Sequence, residues 1–331
     1  KFAKKPEVVA ANIKVMHAGY NFAETIEALP SSYTVLSANL EKGTYRNVMG
    51  NQAIAWGFLA AAERANKELF LGSYPITPAS DILHELAKHK NLGIKTFQAE
   101  DEIAAICSAI GASFTGSLAI TTTSGPGLAL KGEGLGLAIM TELPLVVVDV
   151  QRGGPSTGLP TKTEQSDLMQ ALYGRNGESP SVVLASSTPG NCFDWAYMAS
   201  KITLEHNTPV ILLSDGYLGN GAEPWKIKST MDMPEIHPNV ANEGEEYQPY
   251  ARDKKTLARK LAFPGTKGLE HRLGGLEKED ITGNVSYDAD NHEKMVGIRS
   301  KKIKRIANLI PKQEVFGKEE CDLLVIGWGG T

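Results

Sequence analysis

A doubly wound α/β sheet is the fold class this sequence predicts, and three observations predict it. Short runs of strand character recur at residues 68–73, 94–98, 117–122, 144–150, 181–185 and 209–214. Most are separated from the next by a stretch of helical spacing, the alternation that builds a mainly parallel sheet. The run Leu145-Val146-Val147-Val148 is apolar on both faces, as a central parallel strand covered by helices must be. At 331 residues and 42% hydrophobic content the chain exceeds one average domain and has the apolar material for a large core. Ligands of such sheets bind beyond the C-terminal strand ends, so function is expected in the polar loops that follow those ends.

Taken in order, residues 7–18 contain no Gly or Pro, and Val8, Val9, Ile13, Val15 and Met16 are spaced closer to a helical than to an alternating period. A helix is expected there, followed by a polar connector to about Asn47. Regular alternation begins at Gly50: an Ala-rich helix over 53–65 interrupted only by Gly57, the strand 68–73, then a helix over 80–90 with Leu83, Leu86 and Ala87 on one face. After Asp215 the composition shifts toward Pro, Asn, Glu and Lys, and regularity is lost from Glu223 to about Glu293. Residues 263–272 have too few apolar side chains for a core of their own, so any order there comes from packing on the main domain or on a partner. A charged helix is expected over 292–309, and Cys321 to Gly330 reads as a strand running into a glycine turn, with no internal repeat anywhere.

Charge and composition exclude several function classes. A net charge of −4 and a pI near 6.0 argue against a polyanion-binding surface, so no nucleic acid is expected; the basic run Arg299 to Arg305 reads as a solvated helix face. Three separated cysteines, Cys107, Cys192 and Cys321, form neither a disulfide framework nor an iron-sulfur ligand set, which suggests a reducing cytoplasm. No apolar run approaches the ~20 residues that span a bilayer, so no membrane contact is expected. The start, Lys1-Phe2-Ala3-Lys4-Lys5, has neither an initiator methionine nor a signal peptide, and the chain reads as an excised fragment. His84 and His89 stand at i,i+5 on their helix, the wrong spacing for a metal pair, and no metal site is expected.

Four polar loops follow four of the strands. The first is Tyr74-Pro75-Ile76-Thr77-Pro78-Ala79-Ser80, which holds a threonine hydroxyl between two prolines. Next come Glu100-Asp101-Glu102, opening a helix of small residues, and Thr122-Thr123-Ser124-Gly125-Pro126-Gly127, whose glycines permit close backbone approach. The fourth, Gln151-Arg152-Gly153-Gly154-Pro155-Ser156-Thr157-Gly158, puts a guanidinium beside two glycines that leave it room to reach past the strand end. Each has an ordinary explanation: three acids complement a helix N-terminus, an arginine makes an interdomain salt bridge, and a turn threonine bonds locally. No P-loop and no GxGxxG after the first strand is present, so neither an ATP nor a nicotinamide site is supported. Asp215-Gly216-Tyr217-Leu218-Gly219-Asn220 is too short for the Gly-Asp-Gly…Asn pattern that holds a Mg²⁺-diphosphate.

In these loops the chain resembles the pyrimidine-binding domain of the 2-oxoacid:ferredoxin oxidoreductases, thiamine-diphosphate enzymes, and is most like the alpha (gamma-alpha fused) subunit of their 2-oxoglutarate-oxidising members. The resemblance covers essentially the whole chain. It implies that Glu102, counted back from Gly111-Ala112, is the acid that meets the pyrimidine N1′ and makes the 4′-amine an imine base. It implies that Arg152 takes the 2-oxoacid carboxylate as a planar fork, with Thr77 and Thr161 beside it, and that Tyr74, Pro75, Thr123, Ser124 and Gly125 line the cofactor. Thiamine diphosphate would be shared with a beta subunit, and Mg²⁺ and iron-sulfur clusters would belong to partner chains. The implied reaction converts 2-oxoglutarate and coenzyme A to succinyl-CoA and CO₂ with reduction of ferredoxin. A pyruvate or branched-chain 2-oxoacid enzyme, or a non-catalytic assembly subunit, remains open, since no residue here identifiably reads a distal carboxylate. The implied organisation is the end of an upstream gamma-type domain at 1–45, the pyrimidine-binding domain at 46–230, an irregular extension and charged helix at 231–315, and the truncated start of a transketolase-C-like domain at 316–331.

Overall fold

The computed structural model describes residues 3–28, 31, 33–318 and 320–330. Two compact units make up the chain, Lys1–Gly43 and Thr44–Thr331. In the first, helix α1 (Pro6–Thr25) starts with a proline where the missing amide hydrogen has no partner to lose, beside Glu7 at the positive helix end. It is longer than the expected 7–18, and none of its residues is buried.

In the second unit, β1 (Tyr45–Met49) leads into α2 (Gly50–Ala65), β2 (Leu69–Ser73), α3 (Ser80–Ala87), β3 (Lys95–Gln98), α4 (Glu102–Phe114) and β4 (Leu118–Thr123). Helices α5 (Gly125–Leu130) and α6 (Gly132–Thr141) precede β5 (Leu145–Gln151), α7 (Leu168–Tyr173), β6 (Val182–Ala185), α8 (Asn191–His206) and β7 (Pro209–Asp215). The short α9 (Gly216–Asn220), β8 (Ala222–Lys226) and α10 (Ala289–Ile306) follow. Strands β3-β2-β4-β5-β7-β6 form one parallel six-stranded sheet, the doubly wound fold expected from the alternation. All seven residues of β5 are buried, and burial of each of its valines contributes on the order of 1.5–3 kcal/mol. Chain direction across the sheet reverses between β2 and β4, so the loops after those two strands flank a crevice at a topological switch point.

Helices α2 and α8 cover one face. Gly57 sets their approach: a Cβ there would lie 2.4 Å from the Phe193 carbonyl oxygen, so the glycine that interrupts the Ala-rich run is required by packing. Helices α4 and α6 cover the other face, around Ile106, Leu135, Ile139 and Val147.

The structure corrects three expectations. The connector before Asn47 and the stretch after Glu223 are not wholly irregular, since β1 and β8 pair antiparallel as a two-stranded ribbon, Tyr45 opposite Lys226. The basic run of α10 is only partly solvated: Arg299 and Lys302 are buried, in ion pairs with Glu277 and Glu142. Residues 321–326 form no strand; Leu323, Leu324, Val325 and Ile326 are exposed, and Trp328 packs against the core under α4 and α6.

The irregular extension takes its order from the main domain, as its composition requires. Glu142, which ends α6 in a left-handed conformation (φ 49°), receives both Arg252 and Lys302. Burial opposes its charge, but Lys302 and Arg252 outweigh that and hold the carboxyl well below the usual range. Arg259, fully buried, donates to the Thr141 carbonyl at 2.8 Å.

Candidate active site

Five of the residues expected from sequence, Tyr74, Glu102, Thr123, Ser124 and Gly125, lie at the crevice between β2 and β4. Backbone pairing of these strands ends at Gly72 and Thr121, and two side-chain contacts carry on beyond it: Ser73 Oγ lies 2.6 Å from Thr122 Oγ1, and the Tyr74 hydroxyl 2.9 Å from Thr123 Oγ1. The loop after β2 is held in place. Ser80 Oγ accepts from the Ile76 amide, and the carbonyls of Thr77 and Pro78 accept from Arg152 Nη1 at 2.7 Å and Asn51 Nδ2 at 3.0 Å.

Glu102 opens α4. Asp101 caps that helix, its Oδ1 accepting from the Ala104 amide at 2.7 Å, so within the cluster of three acids Asp101 is committed to capping and Glu102 faces Tyr74. Glu102 points toward Tyr74 and Thr123 across Gly127. A Cβ built on Gly127 would lie 2.1 Å from Thr123 Oγ1, 2.2 Å from the Tyr74 hydroxyl and 2.9 Å from Glu102 Cγ. Only a glycine leaves these three together. Burial pushes the Tyr74 phenol well up, and the facing Glu102 carboxylate adds to it. Ser124, also buried, keeps an unpartnered Oγ at the same place, and Gly125 follows it at the start of α5.

Arg152 leaves β5 almost fully buried, bonded to the Thr77 carbonyl, with its Nε unpartnered. Thr77 and Thr161 line one open cavity of about 300 Å³ with Asp81, Gly216 and Asn220. Pro75 lies exposed at the start of the same loop. The structure therefore forms two adjoining groups: Tyr74, Thr123, Ser124, Gly125 and Glu102 at the crevice, and Thr77, Thr161 and Arg152 beside it.

Asp215, by contrast, is used locally. Its Oδ1 caps α9 through the amides of Tyr217 and Leu218, and its Oδ2 accepts from Gln165. Among the described residues no group of three or more His, Cys, Asp or Glu side chains could hold a metal ion. No helix among them is long and apolar enough to cross a membrane.

Sequence reasoning missed two features. Asp149, the one charge in β5, is buried against Asp167; burial and the facing Asp167 carboxylate raise it well above the usual range. Asp167 in turn packs on Gly125, where a Cβ would meet both carboxylate oxygens at 2.7 Å. Lys131, at the junction of α5 and α6, is fully buried, and its Nζ donates to the Glu102 carbonyl at 2.8 Å. Each residue is the sole charge in an otherwise uncharged run, 143–151 and 117–132, which is the signal that marks them.

Fold and site together define a cofactor-binding α/β domain whose switch-point crevice converges on a carboxylate. The chain belongs to the pyruvate flavodoxin/ferredoxin oxidoreductase thiamine-diphosphate-binding family, whose model matches residues 61–290. It is 55% identical over its whole length to the 2-oxoglutarate oxidoreductase subunit KorA of Mycobacterium tuberculosis, spanning 50% of that protein. It is 34% identical to the 2-oxoglutarate synthase subunit KorA of Methanothermobacter marburgensis, over 85% of this chain and 73% of that one. A solved 2-oxoglutarate:ferredoxin oxidoreductase from Magnetococcus marinus, with 2-oxoglutarate, coenzyme A and succinyl-CoA bound, superposes with a TM-score of 0.83 at 35% identity, covering 95% of this chain and 53% of that one. The chain thus spans about half the length of two of these relatives.

Proposed function

We propose that this chain supplies the pyrimidine side of a thiamine-diphosphate site in a 2-oxoglutarate:ferredoxin oxidoreductase. The observation that carries the reading is the convergence of Glu102, Tyr74 and Thr123 on Gly127 at the switch-point crevice. The residues fit the group: a carboxylate for a ring nitrogen, an unpartnered buried Ser124 hydroxyl, and backbone at Gly127 that no side chain covers. When bound, thiamine diphosphate supplies an acidic thiazolium carbon and an electron sink for decarboxylation.

In this reading Glu102 holds and returns the proton at the pyrimidine N1′. Tyr74, Pro75, Thr123, Ser124 and Gly125 orient that ring, and Arg152 binds the 2-oxoacid carboxylate between Thr77 and Thr161. The division of the site also has support here, because Asp215 is engaged in capping α9 and offers no diphosphate cradle. Diphosphate, Mg²⁺ and iron-sulfur clusters then belong to partner chains, a beta subunit among them, with coenzyme A and ferredoxin reaching the assembled complex. Three separated free cysteines fit a reducing cytoplasm. The domain organisation proposed is a gamma-type end at 1–45, the pyrimidine-binding domain at 46–230, its extension at 231–315 and the start of a further domain at 316–331.

The test is reconstitution of the full-length protein with its partner subunit, followed by 2-oxoacid-dependent viologen reduction. Activity with 2-oxoglutarate above pyruvate is expected. A complex that binds thiamine diphosphate yet reduces nothing with any 2-oxoacid would make this an assembly subunit.

A further inference from the structure

Lys131 is fully buried, and burial of an ammonium is unfavourable unless its donors are met. Its partners are few. Nζ makes one hydrogen bond, to the Glu102 backbone carbonyl at 2.8 Å, and stands 5.0 Å from the centre of the Tyr74 ring. Among the described residues no carboxylate comes within salt-bridge distance of it. Other buried lysines are better supplied: Lys302 has Glu142 and the Asn207 carbonyl, and Lys278 has two carbonyls. The single bond of Lys131 goes to the residue that opens α4, and the ring it faces carries the hydroxyl that faces Glu102.

We infer that Lys131 is a positioning residue for Glu102, its buried amine fixing the first turn of α4 through the Glu102 carbonyl and holding a positive charge near the start of that helix. The inference rests on the reading of Glu102 as the cofactor-activating acid. The ionisable groups that face Lys131 are Glu102, Asp101 and Cys107 on α4 and Tyr74 from the loop after β2. Burial lowers Lys131 to about 7 against the pull of Glu102, Asp101 and Cys107, so its charge changes close to neutral pH. A hydrocarbon of similar volume would pack without that penalty. A lysine here is therefore explained by what it does to its neighbour.

The test uses the full-length protein with its partner subunits, with Lys131→Met and Lys131→Gln; Gln keeps a donor without the charge. Hydrogen–deuterium exchange at thiamine C2 should slow about 10²-fold in Lys131→Met, as expected when a reacting group loses its placement, while KM for 2-oxoglutarate stays unchanged. Wild-type exchange should inflect near pH 7, and that inflection should vanish in both variants. A second readout needs no cofactor: folding lowers Lys131 from 10.5 to about 7, so wild type should gain melting temperature relative to Lys131→Met as pH rises from 7 to 10.5. A wild type lacking the inflection overturns the inference even if the variants fail to fold, and so does an absent stability gain where Lys131→Met folds. Exchange within twofold of wild type in both variants overturns it while Glu102→Gln abolishes exchange and the wider reading stands. Wild-type exchange in Glu102→Gln overturns both.

Discussion

Lys302 and Lys131 are both buried and both pushed down by that burial, to about 8 and about 7, yet their surroundings differ. Lys302 sits where α10 meets the end of α6, and Glu142 lies 2.6 Å from its Nζ, with Arg252 donating to both oxygens of the same carboxylate. There one carboxylate serves two cations, and the group pins the extension to the main domain. At the crevice, Lys131 has a carbonyl and an aromatic face, and Arg152 has a carbonyl and an idle Nε. Cations are left uncompensated on the side of the fold where an anionic substrate and an acid-activated cofactor are proposed.

Four measurements would break or sharpen that contrast. The largest effect should come from Glu102→Gln in the assembled enzyme, which removes the ionisable group while keeping its shape. Turnover should drop about 10³-fold with an unchanged melting curve; full activity, or a loss seen only in Glu100→Gln, would move the site. Next, Glu142→Gln strands Lys302 and Arg252 without a counter-charge and should cost about 3–5 kcal/mol of stability, measured as the urea midpoint at constant slope. A cost below 1 kcal/mol would mean the anchor is not the ion cluster. Arg152→Lys keeps the charge but loses the fork, so KM for the 2-oxoacid should rise with about 1.5–3 kcal/mol of lost binding, and C2 exchange of the cofactor should hold. Slowed exchange at unchanged KM would remove Arg152 from the substrate site. The smallest effect concerns acid. Because folding depresses Glu142, its contribution is complete above about 4.5 and fades as pH falls below that. The stability gap between wild type and Glu142→Gln should therefore be narrower at pH 3 than at pH 7, and an unchanged gap would contradict the ion pairing.

The main sheet was legible in the sequence because its strands fall between helical runs, β5 most clearly, since it is apolar on both faces. The ribbon of β1 and β8 was not. Its residues pair across nearly the whole domain, Met49 with Ala222, and one strand carries Pro224, so neither run looks like a strand by itself. Arg299 and Lys302 read as solvated for the same reason: the carboxylates that bury them lie 22 and 160 residues away. Glu102, Tyr74 and Thr123 were legible as residues at strand ends and helix starts, whereas Lys131 and Asp149 are marked only as lone charges in uncharged runs, and their partners come from distant parts of the chain. The expected strand at the end of the chain fails because an apolar run without a neighbouring edge has no backbone partner.

The two hydroxyl contacts past the end of the β2–β4 ladder have a consequence for how protons are arranged at the crevice. An amide rung has a fixed polarity, donor on one strand and acceptor on the other. The Ser73–Thr122 and Tyr74–Thr123 rungs have none, since either oxygen in each pair can give the hydrogen. Through Tyr74, which faces Glu102, the second rung can reverse its direction by rotation of hydrogens about C–O bonds. The crevice is fastened like a sheet and yet reversible in its hydrogen-bond direction, which suits a carboxylate whose proposed work is to take up a proton and give it back.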